Sequence, residues 1–208
     1  MNKIFYLIGK SASGKNALYE QLLQDPALSL KPVVMYTTRP IREGEREGIT
    51  YYYRDIPFFE ECRDNGKMIE YRLYHTMLGP WYYFTLDDGQ IDLTSASYLM
   101  IGTLDSYEKM CLYFGERTMV PLYLEAADAD RLQRALDRER RQNIPRIDEM
   151  CRRYLADEAD FSEENLARLK IGRRFQNVNM DVCLREIRDY CAGVMMSGTE
   201  RKAARGNR

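Results

Sequence analysis

A glycine-rich segment near the N-terminus constrains the fold more than any other feature of this sequence. Residues 9–15 read Gly-Lys-Ser-Ala-Ser-Gly-Lys and satisfy the pattern GxxxxGK. The segment follows a short apolar run over Lys3–Ile8, typical of a buried strand, and precedes helically spaced apolar residues over Ala17–Leu23. In such a loop the glycines let backbone amides curl round a phosphate, and the helix N-terminus adds partial positive charge. The pattern therefore predicts a nucleotide-phosphate site in which Lys15 contacts the β and γ oxygens.

The predicted ATP ligands here belong to the loop and the start of the helix: Gly9, Ser11, Ala12, Ser13, Gly14, Lys15 and Asn16. Asn16 departs from the pattern, because it stands where a Ser or Thr hydroxyl normally binds Mg²⁺. An amide oxygen can still reach the metal directly or through water, although it is a neutral and longer ligand. We therefore predict Mg²⁺ as Mg·ATP, with Asn16 as a weak or water-mediated ligand. The alternative is a glycine-rich turn that binds nothing.

Strand-like and helix-like segments alternate along most of the 208 residues. This alternation predicts one α/β domain around a mostly parallel sheet, and a content of 45% hydrophobic residues is enough to build its core. An aromatic-rich stretch over residues 50–85 interrupts the alternation and is predicted to be an inserted mixed-β subdomain. After residue 129 the pattern becomes long, charged and helical, and the basic residues 197–208 are predicted to form a disordered tail.

Charge and cysteine content exclude several classes of partner. The chain has 31 Lys and Arg against 32 Asp and Glu, so no chain-wide field attracts nucleic acid or an anionic membrane. Its apolar runs fall far short of the ~20 residues that cross a bilayer, and its N-terminus has no features of a secretory leader. Five cysteines without a CxxC pair favour reduced thiols over disulfides or zinc. We expect a cytoplasmic protein with small-molecule partners and without nucleic-acid or membrane partners.

A second predicted anion site lies in the polar stretch Thr37–Tyr51. Arg39 and Arg42 flank a proline there, and glycines and Tyr51 follow. Two guanidinium groups and a phenol can enclose one phosphate dianion, because each arginine offers paired donors. The alternative is a solvated, charged surface loop.

Several segments resemble, in order along the chain, those of the guanylate kinase family. Thr37–Tyr51 resembles the family's TTRxPRxGExxGxxY segment, Met68–Tyr71 its FIEY segment and Tyr82–Thr85 its YYGT segment. Residues 177–184 are similar to its VNDDL segment. The resemblance implies an α/β fold with a P-loop NTPase core, a mostly parallel sheet, an inserted mixed-β nucleoside-monophosphate-binding subdomain and a helical lid. The implied division is a single domain 1–196, made of core 1–36, 94–133 and 160–196, subdomain 37–93 and lid 134–159.

The resemblance also implies roles for individual residues. The implied acceptor-binding residues are Arg39, Arg42, Tyr51, Glu70, Tyr83 and Thr85. The implied catalytic residues are Lys15, Arg42, Arg134, Arg138 and Arg153, with Arg140, Arg141 and Arg146 as competitors on the lid. Asn177 is implied beside the adenine nucleotide. Glu70 would face guanine, because a carboxylate can accept from N1–H and N2–H₂ together, whereas adenine presents an acceptor at N1.

One departure from the family concerns the acids after the third core strand. The family's DxDxQG pattern is missing after Tyr98–Ile101, and Asp105 is the first acid available to replace it. The implied reaction is transfer of the ATP γ-phosphoryl group to GMP, which gives GDP and ADP. One alternative is a guanylate-kinase-like kinase for another phosphorylated acceptor, such as a ribose phosphate. Another is a non-catalytic binding module for a nucleotide or a protein partner.

Overall fold

The structure, a computed structural model, describes residues 2–42, 44–76 and 79–203, with side chains described up to residue 197. Parallel strands form its central sheet: β1 (Ile4–Ile8), β2 (Lys31–Pro32), β7 (Tyr98–Ile101), β8 (Met119–Glu125) and β9 (Arg174–Gln176). Their order across the sheet is β2-β7-β1-β8-β9. The α/β fold with a mostly parallel sheet, predicted from the alternation of segments, is confirmed.

The continuous apolar sequence of β1 follows from its position in the middle of the sheet. All five of its residues are buried. Ile4, Tyr6 and Ile8 pack on one face of the sheet, and Phe5 and Leu7 pack on the other, as the alternation of side chains along a strand requires. Both faces are covered by helices, so neither half of the alternation meets water.

Helices cover the two faces of the central sheet. Helices α1 (Lys15–Gln24) and α7 (Met180–Ala203) supply apolar side chains to one face. Helices α3 (Leu104–Phe114) and α6 (Glu163–Arg168) supply them to the other face. Helix α3 begins at a capping box in which the hydroxyl of Thr103 accepts from the amide of Ser106. This cap places Thr103 directly after β7, at the carboxyl edge of the sheet.

A second sheet forms the inserted part of the chain. Its strands are β3 (Tyr36–Thr37), β4 (Tyr52–Tyr53), β5 (Met68–Thr76) and β6 (Gly79–Leu86), in the order β4-β3-β6-β5. Helix α2 (Ile56–Asp64) covers it, and the side chain of Asp55 caps that helix by accepting from the amide of Phe58. This sheet occupies the stretch predicted to be a mixed-β subdomain, and the boundaries of the core, subdomain and lid stay a prediction.

Helices α4 (Asp128–Arg140) and α5 (Ile147–Asp160) pack together in the region predicted to be the lid. The C-terminal prediction needs a correction, because α7 continues to Ala203. Residues 197–203 are therefore helical rather than part of a disordered tail, and residues 204–208 lie outside the described residues. The described residues contain no helix that is long and apolar enough to span a membrane.

Candidate active site

The glycine-rich segment forms a loop between β1 and α1, and Lys15 lies inside it. The ammonium of Lys15 donates to the carbonyl oxygens of Gly9 at 2.5 Å and Lys10 at 2.8 Å. Burial lowers the pKa of Lys15 to about 8, although the carboxylate of Asp157 opposes this shift. The loop therefore holds a desolvated cation that an anion would stabilise.

Asn177 stabilises the conformation of the phosphate loop through a side-chain hydrogen bond. Its side-chain amide donates to the carbonyl oxygen of Ser13 at 2.7 Å, and the residue is buried. Gly14 adopts a φ of +99°, and a β-carbon at this position would lie 2.4 Å from the amide nitrogen of Asn177. Glycine is therefore required at position 14 both by backbone conformation and by this close approach. A role of Asn177 beside adenine stays a prediction.

Two acidic residues of α5, which the sequence analysis missed, contact the phosphate loop at Lys10 and Ser11. The carboxylate of Asp157 accepts from the amide of Ser11 at 2.6 Å. The carboxylate of Glu158 accepts from the ammonium of Lys10 at 2.5 Å. The only sequence signal for these contacts is the acidic pair Asp157-Glu158, which lies on the same predicted lid helix as Arg153.

Arg131 connects these acids to the loop and was also missed. It is only 2% exposed. Its guanidinium donates to the carbonyl oxygen of Ser11 at 3.1 Å, to Asp128 at 2.6 Å and to Glu158 at 3.0 Å, and it lies 3.4 Å from Asp157. One buried cation therefore ties α4, α5 and the phosphate loop together.

The structure brings one of the three predicted lid arginines to Asn177, whose side chain contacts the phosphate loop. Arg134 approaches the carbonyl oxygen of Asn177 at 3.5 Å. Arg138 and Arg153 are about half exposed and are directed to neighbouring glutamates on their own helices. Arg153 donates to Glu149 at 2.8 Å, and the pKa of Glu149 is lowered to about 2 by Arg152 first and by Arg153 as well. Their catalytic roles stay predictions.

The two arginines of the predicted acceptor-phosphate site differ sharply in their surroundings. Arg39 is 4% exposed and holds the carboxylate of Glu45 through two hydrogen bonds of 2.7 and 2.5 Å. Its Nε donates to the hydroxyl of Tyr83 at 3.0 Å, and its guanidinium lies 5.2 Å from the ring centre of Tyr51. Arg39 lowers the pKa of Glu45 to about 2. Arg42 is exposed and lies 5.9 Å from the ring of Trp81.

The predicted base-reading residues Glu70 and Thr85 meet across the paired strands β5 and β6. The hydroxyl of Thr85 donates to one carboxylate oxygen of Glu70 at 2.8 Å, and both residues are buried. The second carboxylate oxygen lies 3.2 Å from Nε of Arg72, a residue that the sequence analysis did not single out. Glu70 and Arg72 line a cleft of about 710 Å³ that extends to Thr103.

The missing acids after β7 have a structural explanation. Gly102 follows the strand, and a β-carbon there would lie 2.3 Å from the hydroxyl of Tyr6. That hydroxyl is buried and donates to Ser106 at 2.7 Å, so the space of a side chain is already filled. Asp105 lines the cleft, but its carboxylate accepts from Lys109 at 2.8 Å.

Asn16 is the predicted metal ligand, and its side chain is exposed at the first turn of α1. Its amide oxygen is of the donor type that Mg²⁺ accepts. The described residues contain no group of three His, Cys, Asp or Glu side chains that could hold a metal ion. The donor set therefore fits a metal carried by nucleotide phosphates and water, with little protein ligation.

Comparison with known proteins agrees with this geometry. Residues 1–81 match the family model for guanylate kinase. Guanylate kinases from Listeria monocytogenes serotype 4b (strain F2365) and Listeria innocua serovar 6a are each 39% identical over 71 residues, which is 34% of this chain and 35% of each relative. The chain therefore spans about a third of the length of these curated relatives.

A solved structure extends the comparison to most of the chain. The guanylate kinase from Anaplasma phagocytophilum has a TM-score of 0.60 and 19% identity, and the match covers 92% of this chain and 85% of the other. At this identity the likeness shows the fold alone. The matched family segment contains the phosphate loop, the Arg39 site and Glu70. The family model and the curated relatives show that the N-terminal part of this chain is similar to guanylate kinases, and the solved structure shows that the likeness of fold extends to most of the chain.

Proposed function

We propose that the protein is an ATP-dependent nucleoside monophosphate kinase that converts GMP and ATP to GDP and ADP. One observation carries the proposal. The phosphate loop follows β1 and Thr103 follows β7, and these parallel strands are paired directly, with Leu7 opposite Ile101. Both segments therefore lie at the carboxyl edge of the sheet, where α/β proteins bind ligands. The cleft of Glu70 reaches this same edge at Thr103.

The reaction needs positioning and charge stabilisation rather than a covalent intermediate. A phosphate oxygen of GMP attacks the γ-phosphorus of ATP, the bond from that phosphorus to the β-γ bridging oxygen breaks, and ADP leaves. In this proposal Lys15 neutralises charge on the β and γ oxygens from inside the loop. Arg42, which is exposed, and Arg134, which approaches the backbone of Asn177, supply donors to the transferred group.

Mg²⁺ is part of the proposal as a component of Mg·ATP. When bound, the metal would supply positive charge that offsets the charge of the nucleotide phosphates. Asn16 would contact it directly or through water, and the nucleotide would provide most of its ligands. The lid acids Asp157 and Glu158 are directed to Ser11 and Lys10, so we assign them no metal contact.

Glu70 and Thr85 are proposed to select the acceptor base. The hydroxyl of Thr85 orients the carboxylate of Glu70 by donating to one of its oxygens. The other oxygen makes no hydrogen bond among the described residues and can accept from N1–H of guanine. A buried acceptor without a hydrogen bond costs free energy, and a base that donates one recovers it.

The alternatives from the sequence have weaker support. A sugar phosphate has no base that the buried Glu70–Thr85 pair could contact. A binding module without activity gives no use to Lys15, whose ammonium is held desolvated inside an intact loop. A cytoplasmic location belongs to the proposal and is supported by the five cysteines, all of which are free thiols.

A coupled assay of ADP release tests the function. We expect turnover with GMP and dGMP well above that with AMP, CMP, UMP and phosphorylated sugars. Lys15→Met is expected to abolish turnover with every acceptor, and Glu70→Gln to reduce GMP turnover far more than AMP turnover. Preference for a sugar phosphate, or ATP and GMP binding without any transfer, would refute the assignment.

A further inference from the structure

Arg72 is the feature of the acceptor cleft that the proposed function leaves unexplained. Glu70 and Arg72 are two residues apart on β5, so their side chains leave the strand on the same face. The side chain of Glu70 is fully buried and that of Arg72 is 10% exposed. A buried arginine requires partners, because its guanidinium cannot lose its charge.

The donors of Arg72 are poorly satisfied. A guanidinium carries five N–H groups. Its two terminal nitrogens donate to weak or distant acceptors, at 3.4 Å to the hydroxyl of Thr103 and at 3.5 Å to the thioether sulfur of Met35. Its Nε forms an ion pair at 3.2 Å with one carboxylate oxygen of Glu70, but neither atom makes a hydrogen bond among the described residues.

The cleft is therefore lined by an ion pair whose two facing atoms, Oε2 of Glu70 and Nε of Arg72, make no hydrogen bond among the described residues. Buried polar atoms in native proteins are almost always paired, and unpaired ones at a cleft point to a ligand that pairs them. A flat group with an N–H next to a C=O matches this arrangement. The 6-oxopurine edge has this pattern, with N1–H beside O6 and the acceptor N7 beyond it, and arginine is well suited to the O6 and N7 pair.

We infer that Arg72 is a further specificity-determining residue, which donates to O6 and N7 of a 6-oxopurine while Glu70 accepts from N1–H. This inference rests on the proposed function. Because the acceptor phosphate is held at the Arg42 end, the base cannot turn over freely in the cleft. Adenine in the same pose would direct its N1 lone pair at Glu70 and its amino group at Arg72. Both contacts would be repulsive.

The same geometry offers the 2-amino group of guanine few hydrogen-bond acceptors. One oxygen of Glu70 already accepts from Thr85, and the carboxylate of Asp105 is paired with Lys109. The substrate class is therefore 6-oxopurine monophosphates with or without the amino group. We expect IMP to be used within roughly tenfold of GMP, since loss of one partly satisfied hydrogen bond costs about 1 kcal/mol.

The test measures kcat/KM for GMP, IMP and AMP in wild type, Arg72→Lys, Arg72→Met and the double variant Glu70→Gln/Arg72→Met. We expect Arg72→Met to lower kcat/KM for GMP and IMP together by roughly ten- to a hundredfold, as for loss of a bidentate base contact. AMP should not fall, because the repulsive donor is gone. Arg72→Lys should show an intermediate loss, since it keeps the charge without the fork.

The double variant keeps the inference testable if Arg72→Met fails to fold. It removes both buried charges and leaves none unpaired. We expect it to fold and to bring the ratio of GMP to AMP turnover close to one. Equal losses for all three acceptors in the folded variants would show that Arg72 only supports the strand and would overturn the inference.

The outcomes also separate this inference from the proposed function. Transfer to GMP with no change of base preference in the Arg72 variants would overturn the inference and leave the kinase assignment intact. If wild type transfers phosphate to no acceptor, the kinase assignment fails. In that case calorimetry with GMP decides the role of Arg72, because equal GMP affinity in wild type and the double variant would overturn it.

Discussion

The carboxylate of Asp157 accepts a hydrogen bond of 2.6 Å from the amide of Ser11 inside the phosphate loop. Loop amides of this kind are the donors that bind nucleotide phosphates. A side chain from α5 therefore takes the place of an anionic ligand, and Arg131 supports it from the opposite side. Under the proposed function, ATP would have to compete with a carboxylate that is part of the chain.

Removing this carboxylate should tighten ATP binding. Asp157→Ala frees the amide of Ser11 and removes a negative charge near Lys15, so we expect roughly tenfold higher ATP affinity, as for one charge-assisted hydrogen bond of about 1.5 kcal/mol. Calorimetry at constant Mg²⁺ measures the change. Asp148→Ala, which removes an exposed carboxylate at the other end of α5, is the control and should leave the affinity unchanged. Weaker binding in Asp157→Ala would instead mean that this acid assists the nucleotide.

Lys15 should take up a proton when ATP binds. Burial lowers its pKa to about 8 from 10.5, so above pH 8 the amine is mainly neutral in the free protein. Phosphate charge favours the ammonium and raises its pKa again. We therefore expect ATP affinity to fall as pH rises above 8, with proton uptake near pH 8.5. Calorimetry in buffers of different ionisation enthalpy measures the uptake, and Lys15→Met should remove it.

The lowered pKa of Lys15 also makes the free energy of unfolding depend on pH. Between about pH 8 and 10.5 the unfolded chain holds a proton at Lys15 that the folded protein has lost. The contribution of this group to the free energy of unfolding therefore rises with pH across that window. Below pH 8 Lys15 is protonated in both the folded and the unfolded state, so its unfavourable contribution to the free energy of unfolding no longer changes with pH. A contribution that falls between pH 8 and 10.5, measured as wild type minus Lys15→Met, would contradict this assignment.

We expect Arg42 to bind the acceptor phosphate and Arg39 to stabilise the fold of the acceptor loop. Arg42→Ala should raise the KM for GMP about tenfold or more with little change in Tm, because Arg42 is exposed and free to contact phosphate. Arg39→Ala should lower the free energy of unfolding by about 2–4 kcal/mol, since Glu45 would lose a buried partner but keeps contact with solvent. Thermal unfolding and acceptor kinetics on both variants form the test. The opposite assignment would give Arg42→Ala the larger stability loss.

Arg131 should be a stability residue whose loss also changes the loop. Arg131→Met leaves the acids of α4 and α5 facing one another, and we expect a loss of about 2–4 kcal/mol in the free energy of unfolding. Arg131→Lys should recover part of it, because a single ammonium cannot make all four contacts. Arg140→Met, at an exposed position on α4, is the control. A Tm equal to wild type in Arg131→Met would refute the role.

Asn16 should limit metal-dependent turnover. Asn16→Ser provides the hydroxyl ligand that the loop lacks, so we expect similar ATP affinity with a higher kcat or a lower Mg²⁺ requirement. Asn16→Ala removes the amide oxygen and should move the Mg²⁺ requirement in the opposite direction. Titrations of kcat against Mg²⁺ compare the three proteins. If wild type and Asn16→Ser both bind ATP and GMP without transfer at any Mg²⁺ concentration, the binding-module alternative replaces the kinase.

Local patterns made the frame of the fold predictable. The strand, loop and helix around Lys15 are encoded within a few consecutive residues, and β7 was readable as a strand from the short apolar run Tyr98–Ile101. The contact of Arg131 with Asp157 was not readable, because it joins two helices across 26 positions and neither residue belongs to a motif. Arg39 was predicted as a phosphate ligand, and its burial against Glu45 depends on how the loop turns.

Arg72 shows a second limit of the sequence. Alternating residues of an aromatic strand are expected to face either solvent or packing, so a charged residue two positions after Glu70 reads as exposed. Its burial follows from the antiparallel pairing of β5 and β6 and from the approach of β5 to the cap of α3, where Arg72 contacts Thr103. Neither contact has a signal in the local sequence.

The second sheet carries an apolar cluster of its own, formed by Tyr36, Phe59, Cys62, Phe84 and Leu86, apart from the clusters on the two faces of the central sheet. A unit with its own core can open without dismantling its neighbour. Heat or denaturant should therefore remove base selection at Glu70 before it removes ATP binding at Lys15. Under the proposed function, partial unfolding would leave an ATP site that has lost its choice of acceptor.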